Sequence, residues 1–376
     1  MRIRALVLTT LLIISSVASV IANDTVTTQD VELSGDHTMI GNYTVSHGTT
    51  LTIKPGTVID MQNYWMEVEG TLIADDSIIM SSIQTTSPGS HNAGVWDALT
   101  ITSLGNAVFD NVTISNAKSC LIVDGTLSAT GLTLEHCLIG IEVAGSATIN
   151  DLNAAHIDND GIRVTGDADL SDVEFHNMSG GIHSSGDLIL AGAAFTKAGV
   201  GLSLTGGTAD VETLNFNSGV VNAVSISSAV SGDIDGMTGS STNAIVSMDA
   251  TAFTISNVDM SGERLVNSWS AGNLSINNAV FNSGSTETPI DIRTSGTVTL
   301  SGIDLTGQFS SLQGTYNAPW IGVSIAGSGD YIIESSSIES TDTALISSGT
   351  GTLSITDSVF TSDRLGLSFS GISSTT

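Results

Sequence analysis

Cysteine and proline are nearly absent from this 376-residue chain, which has 2 of the first and 4 of the second. Two cysteines allow at most one bridge, so a disulfide-dense scaffold is excluded and a hydrophobic core must hold the fold. Aromatic residues make up 5 % and charged residues 12 %. Basic residues are scarcest of all, 9 Lys and Arg against 38 Asp and Glu, for a net charge of −29. A surface this acidic repels phosphate, which argues against nucleic acid as a partner. It equally opposes acidic polysaccharides unless cations bridge them, and leaves neutral glycans and cations as the favoured partners. A saline habitat would explain the same acidity without any partner.

Long apolar runs are missing too, apart from one at the N-terminus. There, MRIR precedes ALVLTTLLIISSVASVI, and Val20-Ile21-Ala22 supplies small residues at the spacing of a cleavage site. Residues 1–22 are expected to be a signal peptide, although the same run would also serve as an uncleaved anchor. Removal of Arg2 and Arg4 with it would leave 7 basic residues and a net charge of −31. No second stretch of about 18 apolar residues follows, so no membrane span is expected after signal removal. A secreted, cell-surface or periplasmic location is the expectation.

What is abundant is glycine, at 40 residues, and apolar side chains, at 40 % of the chain. That apolar content excludes a disordered acidic chain. The glycines mark a repeat. GIRVTGDADLSDVEF begins at Gly161, GIEVAGSATINDL at Gly140, GIHSSGDLILAGAAF at Gly181 and GLSLTGGTADVETL at Gly201. Within each copy apolar and polar residues alternate, the mark of strands with one buried face. The phrase continues, more loosely, to GLSFSG at 366–371, for roughly a dozen copies. A leucine-rich repeat would add a helix, a sandwich would add hairpin turns, and a propeller blade would be about twice as long. A coil of strands winding once per repeat remains, each turn covering the apolar side of the last.

The phrase LTIKPGTVI at 51–59, within the stretch 43–82, carries a likeness beyond period and pattern. The chain resembles the pectate-lyase-like right-handed parallel β-helix superfamily, and in particular its secreted and surface repeat proteins, over about 40–371. The resemblance, with the general preference for right-handed crossovers, implies an all-β, single-stranded right-handed solenoid. A cap is expected over 23–50 and the β-helix over 51–376, with a last coil that the chain leaves incomplete.

Several sets of residues offer chemistry. Asp158, Asp160, Arg163 and His183 form the most varied outward patch, where an acid and a base could flank a glycosidic bond. The Gly-His-Gly and Arg-Ile-Lys stretches of the resembled enzymes are absent. His136, His156 and His176 are evenly spaced, one coil length apart. They could stack at one corner, as zinc or copper ligands or as an ordinary corner ladder. Calcium could sit on Asp158, Asp160 and Asp167. Trp96, Tyr316 and Trp320 fall on two segments that break the period, 81–99 and 307–320, where exposed rings could stack on sugars. Tyr64 and Trp65 are assigned to the cap. Cys120 and Cys137 fall in neighbouring coils, as a disulfide or as two buried thiols.

The leading expectation is a non-catalytic secreted or surface scaffold for adhesion or glycan binding. The alternatives are a polysaccharide lyase or glycosidase, and a periplasmic metal-handling protein. No pattern in the sequence fixes an oligomeric state.

Overall fold

The computed structural model describes residues 19–21, 24–83, 93–227, 230–250, 252–270, 272–284, 287–307, 321–340, 342–371 and 374–375. Every strand pairing in it is parallel, and all strands join one continuous sheet wound into a solenoid of about 15 turns. Among the described residues there is no helix, and so none long and apolar enough to cross a membrane.

Each turn has three faces. In one turn, Ile139–Val143 forms the first face, and Ser146–Ala155 runs through the second and third. Along the first face Leu121 pairs with Ile141, Ile141 with Ile162, Ile162 with Ile182, and Ile182 with Leu202. The step varies little, except that those from Met66 to Leu99 and from Ile290 to Val323 are about half as long again. Those two long turns are the segments singled out in the sequence. The winding exceeds the expected dozen because 24–45 already runs in register: Thr25–Val26 pairs with Tyr43–Val45, and that strand with Met66–Val68. At about 4.8 Å per turn the rod is about 70 Å long.

Alternation decides what is inside. Ile141, Val143, Ile162 and Val164 point inward and are fully buried, while Glu142 and Arg163 between them face out. Each such aliphatic side chain contributes about 1.5–3 kcal/mol by leaving water, but only because the turns above and below cover it.

The corners carry the backbone cost. Between the second and third faces, one residue per turn has positive φ: Asn111 (52°), Asp151 (62°), Asp172 (52°), Asn257 (57°). Asn and Asp are the side-chain-bearing residues that best tolerate this conformation. Between the first and second faces the requirement is space. A Cβ at Gly166 would stand 2.2 Å from the Gly145 carbonyl oxygen, so successive turns approach too closely there for any side chain.

Asp60 ties two early turns together at one corner. Its carboxylate accepts from the Ser82 amide and hydroxyl at 2.9 and 2.5 Å and from the Gln62 amide and side chain at 3.1 and 2.5 Å. Partial burial pushes its pKa up, but these donors outweigh it, and the net shift is downward. A lowered folded pKa stabilises fully above the unfolded value, about 3.9, and that increment disappears as pH falls through the folded value. Asp60→Asn is therefore expected to flatten the melting-temperature profile below about pH 4, the unfolded carboxyl's range. A mutant profile that keeps the wild-type slope there would remove Asp60 from the acid transition.

Candidate functional site

The outward side chains of the first face form one column along the rod: Glu67, Thr100, Ile122, Glu142, Arg163, His183, Ser203, Ser225, Val246, Asn267 and Asp291.

Its middle is closed on itself. Arg163 Nη2 and Nε donate to Asp160 Oδ2 at 2.8 and 3.2 Å, and Nη1 lies 3.5 Å from Glu142 Oε2. The Ser119 hydroxyl donates to the other Glu142 oxygen at 2.5 Å. His183 Nε2 lies 3.4 Å from the Thr205 hydroxyl. Register places Arg163 beside His183 on neighbouring turns, and Arg163 is paired with both Asp160 and Glu142. Asp158 is exposed at the preceding corner, where its carbonyl accepts from the Ser179 hydroxyl at 2.7 Å.

The metal readings are corrected. The residues of positive φ at the corner before the first face are Asn116, His136, His156, Asn177 and Lys197. His136 and His156 do stack, with ring centroids 4.9 Å apart. His176 is not in that column. The next turn is longer by a single residue: Glu135 pairs with Ala155, but Ala155 pairs with His176. Asn177 therefore fills the corner, and His176 falls on the third face beside Glu174. The proposed calcium ligands are divided by a corner: Asp160 belongs to the first face and is bound by Arg163, and Asp167 opens the second. Among the described residues no three His, Cys, Asp or Glu gather as a metal site.

The aromatic reading is corrected in part. Trp96 is 1 % exposed, and its indole N–H donates to the Ser115 carbonyl at 2.8 Å, so it cannot stack on a ligand. The cause is a register shift between Ala98 and Leu99, which lets Trp96 and Leu99 both point inward. Tyr316 and Trp320 lie outside the described residues. Cys120 and Cys137 form the disulfide, with Cα atoms 5.8 Å apart and both residues fully buried.

Two other tryptophans reach the first face. Trp65 is half-buried and lines a recess of about 370 Å³ with Glu67, Asp97, Thr100, Lys118 and Ser119. Lys118 is paired with Asp97 across that recess. Alternation was the available signal: inward Met66 and Val68 force Trp65 and Glu67 outward. By the same parity inward Val266 and Ser268 send Asn267 and Trp269 out.

No family model and no curated protein matches the chain. Solved structures resemble it at low similarity. A tailspike protein mutant of E. coli bacteriophage HK620, in complex with a pentasaccharide, has TM-score 0.41 and 10 % identity over 88 % of this chain and 71 % of that one. The catalytic domain of a GH87 alpha-1,3-glucanase in complex with nigerose has TM-score 0.30 and 11 % identity, over 93 % of this chain and 63 % of that one. PfbA, a surface adhesin of Streptococcus pneumoniae, has TM-score 0.29 and 8 % identity, over 86 % and 83 %. On the three parallel faces of its own coil, the chain is an all-β parallel β-helix.

Proposed function

We propose that this chain is a secreted or cell-surface, non-catalytic rod that binds glycan along its first face. The Trp65 recess carries the reading. An indole beside Glu67, Asp97 and Lys118 offers a flat apolar plate with hydrogen-bonding groups at its rim, the combination that the two faces of a sugar ring need. The acidity of the chain supports a neutral glycan over an anionic one. The mutual pairing of Arg163, Asp160 and Glu142 supports a structural role for the residues that a lyase or glycosidase would use.

Trp65→Ala should weaken binding to an immobilised panel of neutral polysaccharides by about tenfold or more while leaving the melting temperature nearly unchanged. Incubation with the same panel should release neither reducing ends nor unsaturated sugars. Product that appears with the wild type and vanishes in Arg163→Ala would replace this reading with an enzymatic one.

A further inference from the structure

We infer a second saccharide subsite on the first face, built around Asn267 and Trp269 and selective for an uncharged pyranose. It rests on the reading of that face as glycan-binding but on different residues. Counted along the outward column it lies nine turns from Trp65, about 43 Å away, so one short oligosaccharide cannot span both.

The decisive feature is a buried amide oxygen without a partner among the described residues. Asn267 is 6 % exposed, and its buried Oδ1 has no hydrogen-bond partner among the described residues. Proteins rarely leave such a group unsatisfied. Nor does the fold need it there, because Val246 holds the preceding place in the same column. Whichever way the amide is turned, a hydroxyl can satisfy the orphaned atom, since a hydroxyl both donates and accepts.

The surroundings define the rest of the ligand. Asn267 and Trp269 line a recess of about 310 Å³ with Arg264, Glu287, Asp291 and Arg293, within the about 300–1,000 Å³ usual for small-molecule sites. Trp269 is half-buried there and pairs in register with Arg293. The charges cancel in pairs: Arg293 Nη2 and Nε donate to Asp291 at 2.8 and 3.2 Å, and Arg264 Nη2 donates to Glu287 at 3.4 Å. Each guanidinium thus faces a carboxylate, which lessens its attraction for a uronate. What remains is an aromatic plate, an unpartnered amide oxygen and a rim of ion-paired donors and acceptors. That set suits a neutral ring which stacks one face on Trp269 and turns a hydroxyl toward Asn267.

Calorimetric titration of the intact protein tests this with cello-, laminari-, malto-, xylo- and mannohexaose as neutral probes and a galacturonate hexamer as the anionic one. At least one neutral hexaose is expected to bind. Asn267→Val should cost about tenfold in affinity or more with no fall in melting temperature, since a valine already occupies the turn below. Trp269→Ala should lose the same binding. Trp65→Ala should leave a Trp269-dependent event in place. If both Asn267→Val and Trp269→Ala bind like wild type while Trp65→Ala does not, this subsite falls and the first stands. If Trp269-dependent binding is found only for the galacturonate hexamer, or no neutral hexaose binds at all, the inference is overturned.

Discussion

Phe216→Ala is expected to destabilise the rod by about 3–5 kcal/mol, and adding Gly201→Ala to it should cost less than the two changes taken singly. Phe175, Phe195 and Phe216 stack along the third face inside the coil, with centroids 5.2 and 5.3 Å apart and ring planes 8° and 11° from parallel. Each ring reaches across the interior to a glycine of the first face. A Cβ at Gly161 would stand 2.6 Å from Phe175 Cε1, one at Gly181 2.4 Å from Phe195 Cε1, and one at Gly201 2.6 Å from Phe216 Cε1. At Gly161, Gly181 and Gly201 the glycine thus leaves room for a ring, whereas at Gly140, whose turn has Ala154 in the ring's place, the nearest atom to an added Cβ is the Gly161 carbonyl oxygen at 2.2 Å. The chain contains its own control. One turn on, Gly239 takes the register place of Phe216, and Ala223 takes that of the glycine.

Gly201→Ala alone should therefore cost about 1–3 kcal/mol through overpacking. The double variant should show a favourable coupling of about 1–2 kcal/mol. It will not be complete, because the Ala223 carbonyl oxygen also lies 2.8 Å from the added Cβ. Urea melts followed by circular dichroism give all four corners of the cycle. Strict additivity would separate the glycine from the ring and sink the explanation.

Opening the Cys120–Cys137 bridge is expected to cost about 3 kcal/mol for the 17-residue loop it closes. In a solenoid each turn contacts only its neighbours, so the loss should be local. Limited proteolysis of reduced protein should nick near residues 116–143 before it attacks either end of the rod. Reductant added to the wild type and the Cys120→Ala/Cys137→Ala pair should agree, which separates the cross-link from any effect of the new side chains. Unchanged proteolysis after reduction would show that packing alone holds these turns.

Much of this was legible before folding. The alternation Ile162, Val164, Leu170, Val173, Phe175 states which side chains enter the core, and its recurrence states that each turn is covered by the next. The column Glu142, Arg163, His183, Ser203 could be read directly, because the turns through it are nearly equal in length. Trp96 and His176 could not. A shifted register beside Ala98 reversed the parity of the first, and a single extra residue in one turn moved the second off its corner. The sequence pattern put Trp65 in the cap and left Trp269 without a role although their parity was plain, because no local rule says which outward residues will be joined by neighbours from other turns.

The sequence by itself determined the class of fold, the inward side chains and the neighbourhood of the two cysteines, since all three follow from a short-range period and the need to bury an apolar stripe. Only the tertiary structure decided that Arg163 is held by Asp160 and Glu142, that Trp96 is core, and that Asn267 shares a recess with Trp269. In a parallel coil, side chains meet across turns of unequal length, as the short step from Thr25 to Tyr43 and the long one from Met66 to Leu99 show. One residue absorbed or released at a corner, far from the site in sequence, changes every contact on the face beyond it.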